Sequence, residues 1–215
     1  KGLPECSCEW VARMDSDDIA YPDRCEKQIA IFNKYPSVSI CSGTIVEFTE
    51  TPEIADCERT VPERNDEIVE FSKKRCPFNH VCVMYKKLAV EAVGLYRESC
   101  PIEDYWLWYW LLMAGYEGYN IQEPLVHVRA GVNMYRRRAG WHYAKEHIEL
   151  FHVMREQGYI SNRQYVENCI IRSGSALVPN RLRKYVYETF LRKRGHTCED
   201  TQTTNENDRP SRAPA

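Results

Sequence analysis

Asp15-Ser16-Asp17-Asp18 places three carboxylates within four residues, directly after the apolar run Trp10-Val11-Ala12-Arg13-Met14. Like charges so close repel, so a fold that keeps them together compensates them with a cation or a positive ligand. Hard divalent cations take oxygen ligands, and Mg²⁺ is commonly held by one or two carboxylates together with substrate phosphates. The plainer alternative is one helix-capping Asp with solvated turn residues beside it. A second acidic pair, Glu103-Asp104, opens a helical pattern. The helix dipole there favours an ionised carboxylate and the neighbouring charge opposes it, so Asp104 is a candidate general base for a hydroxyl nucleophile. Acidic enrichment of a first helical turn accounts for the same residues. His80, closing Pro77-Phe78-Asn79-His80, is either a contact to phosphate, metal or hydroxyl or a satisfied structural histidine. Arg129 and the run Met134-Tyr135-Arg136-Arg137-Arg138 offer guanidinium groups that suit a diphosphate, or a solvated basic face.

The elements that must position these residues follow from periodicity. The apolar run at Trp10–Met14 reads as a strand. A helix begins near Pro22, with Cys25, Ile29 and Phe32 on one face, and ends at Pro36. Ser37 to Phe48 is extended, Thr49 to Asn65 a polar loop, Asp66 to Lys74 a short helix, and Val81 to Tyr85 a strand leading into a helix from Lys86. From Glu103 the pattern is helical, with Leu107, Trp110, Leu111 and Ala114 sharing a face and Gly115 as the stop. Tyr105, Trp106, Trp108, Tyr109 and Trp110 exceed what one buried face needs, so some of them are candidates to line a site, where flat rings suit the C–H faces of sugars. Asn120 to Arg129 reads as the last strand. Three helices follow, over 134–157, 162–172 and 181–194, then a polar tail over 196–215 that reads as disordered. Strands alternating with helices, then helices alone, predict an α/β core with a helical C-terminal extension. The expected boundaries are 1–132 for the sheet domain, 133–195 for the extension and 196–215 for the tail.

The 215 residues suffice for a real core, with 43% hydrophobic and 12% aromatic residues. A net charge of −2 supplies no field that would recruit nucleic acid. No run reaches the 18 apolar residues of a spanning helix, and the opening Lys1-Gly2-Leu3-Pro4 is no signal peptide. Ten cysteines are present without a Cys-x-x-Cys pair. Those at 25, 41 and 82 fall in apolar-patterned segments, where a free thiol behaves as a small hydrophobe. A reduced, cytoplasmic chain is the expectation, against a secreted disulfide protein or a zinc site from Cys6 and Cys8.

Taken in order, these segments resemble bacterial family 2 glycosyltransferases of the GT-A fold, closest to enzymes of capsular and exopolysaccharide synthesis. The matching stretches are Val11 through Ile19, Pro22-Asp23-Arg24 through Gln28, Pro77-Phe78-Asn79-His80 with Val83-Met84-Tyr85, Glu103-Asp104-Tyr105, Glu123-Pro124-Leu125-Val126, and Arg129 through Arg138. The resemblance implies a partial GT-A fold, an α/β mixed sheet flanked by helices, with a nucleotide-diphosphate sugar as donor and a glycan or lipid-linked saccharide as acceptor. It makes Asp17 the ligand of Mn²⁺ or Mg²⁺ and puts Asp15, Asp18 and Arg129 on the donor side. Asp104 becomes the base of an inverting displacement, with Glu103, His80, Trp106 and Arg136 as contacts to acceptor or diphosphate.

Two departures stand out. Family members carry an N-terminal half of the GT-A domain before the acidic strand. Only about ten residues precede that strand here, so the expectation is a partial domain lacking most of the nucleotide pocket. Cysteine occupies Cys8 and Cys76 where the family commonly has Gly and Asn. In the last helical segment Leu182, Tyr185, Val186 and Phe190 form a stripe flanked by basic residues, which suits peripheral contact with the inner face of a membrane or packing on the domain. Two rival readings remain: a non-catalytic module for acceptor binding or membrane docking, and an aspartyl phosphatase of the haloacid-dehalogenase type.

Overall fold

The computed structural model describes residues 2–52, 54, 57–130, 141–177 and 193–194. Strand β3 (Val38–Phe48) is its spine. All eleven residues are buried, as expected of a β-branched run covered on both faces. Along one edge β3 pairs in parallel with β6 (Glu117–Arg129), and β6 in turn pairs antiparallel with the short β2 (Ile19–Ala20). Along the other edge the first half of β3 meets β5 (Met84–Lys86) and the second half meets β4 (Cys57–Arg59), both antiparallel. β1 (Trp10–Ala12) closes the sheet against β5. The result is the mixed α/β sheet expected. Pro124 lies within β6 because the β3–β6 register slips there, between Gly43 and Thr44, so that Gln122 and Glu123 bulge out.

Helices cover both faces. On one, α1 (Arg24–Lys34) lays Phe32 against Val38, Cys41, Ile45, Met84 and Leu125. On the other, α2 (Asn65–Ser72), α3 (Lys87–Ala92) and α4 (Glu103–Met113) bury Ile40, Ile68, Phe78, Val83, Val90, Trp108 and Leu111. A third cluster, with Trp106, Tyr109, Leu150, Phe151 and Met154, joins α4 to α5 (Trp141–Glu156). α6 (Asn162–Leu177) packs on α5. The helical extension is therefore present.

Several sequence expectations need correction. α1 buries Arg24, Gln28 and Phe32, while Cys25 is exposed. The inward face follows a polar network rather than the apolar stripe. α4 is buried nearly all round: Leu107 and Leu111 face the core, but Trp110 is exposed at 37% and Ala114 is exposed too. The segment expected as a strand from Val81 begins as a 3-10 turn, His80–Cys82, and only Met84–Lys86 pairs. The loop over 49–65 contains β4. Lys193–Arg194, expected at the end of a helix, form a two-residue strand β7 against Cys57 and Glu58 of β4. Residues 131–140, 178–192 and 195–215, which include Arg136, the stripe from Leu182 to Phe190 and the polar tail, lie outside the described residues. Nine cysteines are free among the described residues.

One close approach locks the base of the sheet. A Cβ on Gly118 would stand 2.4 Å from Cζ of Phe78, whose ring is 1% exposed and edge-on to Trp108. Gly118→Ala is therefore expected to lower the free energy of unfolding by about 1–3 kcal/mol through overpacking, measured by urea denaturation, whereas Gly174→Ala, with open space around it, should not.

Candidate active site

The acidic turn leaves β1 under restraint from below. Arg13 N–H donates to the Val83 carbonyl at 2.9 Å. The buried Arg24 guanidinium donates to the carbonyl of Arg13 at 2.7 Å and to that of Val83 at 3.3 Å. Its Nε donates to Gln28 Oε1, and Gln28 Nε2 donates to the carbonyls of Cys41 and Cys82 at 2.9 and 2.8 Å. Pro22-Asp23-Arg24 through Gln28 thus builds a brace that fixes where the strand stops and the turn begins.

On this brace Asp15, Asp17 and Asp18 each bring a carboxylate oxygen within 4.8 Å of the others. Asp18 is 8% exposed. Its Oδ1 accepts the backbone N–H of Arg129 at 3.0 Å. Its Oδ2 is buried with no hydrogen-bond partner among the described residues. Burial pushes the Asp18 carboxyl above the usual range, opposed by the Arg129 N–H and reinforced by Asp15 and Asp17. An orphaned buried oxygen among all-oxygen donors fits a hard divalent cation. Arg13, which the sequence reading left inside the strand, contributes an ion pair from Nη2 to Asp15 Oδ1 at 2.6 Å. The Arg129 side chain lies over Phe48, 4.7 Å from the ring centroid, so its backbone rather than its guanidinium meets the turn.

Asp104 sits in the first turn of α4. Its Oδ1 accepts the N–H of Tyr105 at 2.8 Å, and its Oδ2 accepts the Cys76 thiol at 3.5 Å. Burial and the Asp104 charge hold Cys76 well above the ordinary thiol range, so it stays a neutral donor. Glu103 is pushed up by burial and by Asp104, with Arg13 opposing. His80 joins the two acidic groups: it feels the charges of Asp104 and Asp15 as well as that of Arg13. Its Nε2 pairs with the Tyr96 hydroxyl at 3.2 Å, and its ring meets Trp108 edge-on. Burial outweighs the acids and lowers its pKa, which keeps the ring neutral.

Trp106 is elsewhere. It is 4% exposed in the third core cluster, under the Arg97 guanidinium at 4.7 Å. The structure thus gathers Asp15, Asp17, Asp18, His80, Glu103 and Asp104 around one end of the sheet, joined by Arg13, Cys76 and Tyr96. Arg13 had a signal in the sequence, a charge interrupting an apolar run. Cys76 was visible only as a departure, and Tyr96 had none.

The sequence model described as glycosyl transferase family 2 matches residues 1–143. The chain belongs to this family. An uncharacterized glycosyltransferase of Haemophilus influenzae is 40% identical over 90% of this chain and 72% of its own length. The amylovoran biosynthesis glycosyltransferase AmsE of Erwinia amylovora is 34% identical over 87% of this chain and 70% of its own. A UDP-Gal:alpha-D-GlcNAc-diphosphoundecaprenol beta-1,3-galactosyltransferase of Escherichia coli is 36% identical over 89% and 70%. The mannosyltransferase PcManGT from Pyrobaculum calidifontis, solved with GDP-Man and Mn²⁺, superposes with a TM-score of 0.50 at 11% identity, covering 86% of this chain and 56% of that one. The fold is GT-A, and the family's chemistry is glycosyl transfer. Among the described residues no helix is long and apolar enough to cross a membrane.

His147 of α5 also feels the charge of Asp104, and burial lowers its pKa to about 4. A buried neutral histidine stabilises the fold fully above its unfolded pKa near 6.5 and progressively less as pH falls through about 4. His147 is expected to cost about 3 kcal/mol of unfolding free energy between pH 6.5 and 4, at roughly 1.4 kcal/mol per pKa unit. His80 adds in the same direction and Asp18, whose shift is upward, acts against them. Urea titrations of the wild type and His147→Gln across this window should therefore differ in pH slope, the variant being flatter.

Proposed function

We propose that the chain carries the catalytic acids of an inverting, metal-dependent glycosyltransferase of bacterial surface polysaccharide synthesis. It would move a sugar from a nucleoside-diphosphate donor to a hydroxyl of a glycan or lipid-linked saccharide. One observation carries the reading: Asp15, Asp17 and Asp18 each bring a carboxylate oxygen within 4.8 Å of the others, with Asp18 Oδ2 buried and without a hydrogen-bond partner among the described residues. Asp17, with Asp15 and Asp18, would hold Mn²⁺ or Mg²⁺ against the donor diphosphate. Such a cation neutralises negative charge on the departing nucleoside diphosphate. Asp104 takes the proton of the acceptor hydroxyl as that oxygen bonds the anomeric carbon and the bond to the diphosphate breaks. Attack opposite the leaving group inverts the centre. Cys76 and the Tyr105 N–H fix both oxygens of the base, while Glu103 and the neutral His80 border the acceptor side. Arg129 reaches the donor side through its backbone N–H on Asp18, Arg136 is assigned to the acceptor or the diphosphate, and Trp106 serves the packing of α4 on α5. The printed names of AmsE and the galactosyltransferase support an exopolysaccharide product and a diphosphoundecaprenol-linked acceptor. An acceptor of that kind brings the enzyme to the cytoplasmic face of a membrane, by peripheral contact.

Isothermal titration of the chain with UDP and with GDP, each with and without Mn²⁺, tests the donor site. Metal-dependent binding is expected, weakened about tenfold or more in Asp17→Asn by loss of a charged ligand; metal-independent or absent binding by the folded chain would leave it a non-catalytic relative. For the base, Asp104→Asn should lower kcat by about 10²–10⁴, the usual contribution of general base catalysis, at unchanged donor affinity. Unchanged turnover removes Asp104 from the role.

A further inference from the structure

Arg13 is anchored and underused at once. Its backbone is held on both sides, by its own N–H on Val83 and by Arg24 on its carbonyl. Among the described residues its side chain makes one ion pair, Nη2 to Asp15. Nη1 is buried with no hydrogen-bond partner among the described residues. A guanidinium presents a planar fork suited to two oxygens of a phosphate, and here half the fork is idle. The charge of Arg13 also opposes the upward shifts of Asp18 and Glu103 and adds to the downward shift of His80.

We propose that Arg13 is the resident counter-charge of the acidic turn: it holds Asp15 in the free protein and turns its fork to the donor diphosphate when cation and nucleotide arrive together. The proposal rests on the donor-site reading above. A free divalent cation competes with a guanidinium already paired to one of the three carboxylates, so it binds weakly. A cation carried on a nucleoside diphosphate supplies the oxygens that the fork lacks, so binding of the two is coupled, and the coupling is reciprocal. The donor site then stays open to metal-laden donor without being filled by metal alone.

Mn²⁺ binding to the chain without nucleotide, followed by electron paramagnetic resonance of the free ion, separates this role from a structural one. Removing one positive charge a few ångströms from a divalent ion is worth about three- to tenfold at the high effective dielectric of a protein surface. Arg13→Gln is thus expected to bind Mn²⁺ alone about three- to tenfold tighter, and UDP or GDP with Mn²⁺ weaker by a similar factor of about three to ten. Arg13→Lys keeps the charge and loses the fork, so its Mn²⁺ affinity should match wild type while the nucleotide complex binds more weakly. The Arg24 brace survives both changes because it grips the Arg13 carbonyl, and thermal melts check this; should Arg13→Gln not fold, Arg13→Lys alone decides, since nucleotide affinity equal to wild type overturns the proposal. Unchanged or weakened Mn²⁺ affinity in Arg13→Gln overturns it as well. If wild-type nucleotide binding is metal-dependent and both variants behave like it, only the role of Arg13 falls. If the wild type binds neither Mn²⁺ nor nucleotide, the donor-site reading fails and takes this one with it.

Discussion

Arg24 is a cation at 3% exposure whose partners are neutral oxygens: the side chain of Gln28 and the carbonyls of Arg13 and Val83. Burial lowers its pKa, and burying a charge in this way is costly unless its donors are well satisfied. What the arrangement secures is position. β1 contributes only three residues to the sheet, too few to fix its end through ladder bonds alone. Arg24 ties that end to Val83, just past the 3-10 turn at His80–Cys82, and Gln28 carries the tie on to Cys82 in that turn and to Cys41 in the central strand. The acidic turn begins two residues beyond the tied carbonyl. The start of the acidic turn therefore depends on one buried polar chain that begins on the inward face of α1.

The electrostatics above that brace are balanced by unlike means. The acidic turn concentrates three carboxylates, and the described residues answer with Arg13 on Asp15, a backbone N–H on Asp18 and no partner for the second Asp18 oxygen. At α4 the answer is neutral donors, a thiol and an N–H, which leave the Asp104 carboxylate a net negative charge beside Glu103. Two histidines near Asp104 are kept uncharged by burial, so neither neutralises it. The first cluster is short of positive charge and suits a cation with a diphosphate. The second holds one carboxylate in a fixed orientation, which suits proton transfer.

Much of this was legible in the sequence where chemistry and periodicity coincide. The spine strand at Ser37–Phe48 reads from its β-branched run, and the acidic turn and Glu103-Asp104 read from charge spacing. The errors share a physical cause. On α1, apolar periodicity pointed to Cys25, but backbone carbonyls left unpaired by short strands needed donors more than the core needed another methyl-sized group, so Arg24 and Gln28 face inward. On α4, helical periodicity divided faces that tertiary packing does not divide, because α5 covers the side away from the sheet. β4 and the 3-10 turn are pairings and distortions imposed by β3, and no local propensity announces them. Trp106 fell to the same blindness: its ring type suggested a sugar platform, while its place is the seam between α4 and α5.

A common device links the brace to the rest of the site. Side-chain amides donate to backbone carbonyls of irregular segments wherever the ladder gives out. Asn79 Nδ2 reaches Gly43 and Arg59, Asn120 Nδ2 reaches Pro62 and Pro77, and Gln122 Nε2 reaches Val61. A carboxamide can do this where a carboxylate cannot, because it brings donors and no charge to a buried carbonyl. Asn79 thereby fixes the backbone one residue before His80, and Asn120 fixes Pro77, next to Cys76. The Pro77-Phe78-Asn79-His80 segment thus divides its labour: Phe78 anchors it in the core against Gly118, Asn79 stitches it to β3 and β4, and His80 is left to face the acids. That division explains how a short segment leading into a single 3-10 turn can hold a histidine beside the acidic groups. Rigidity at the site comes from amides and one guanidinium bonded to carbonyls, with the sheet as their common frame.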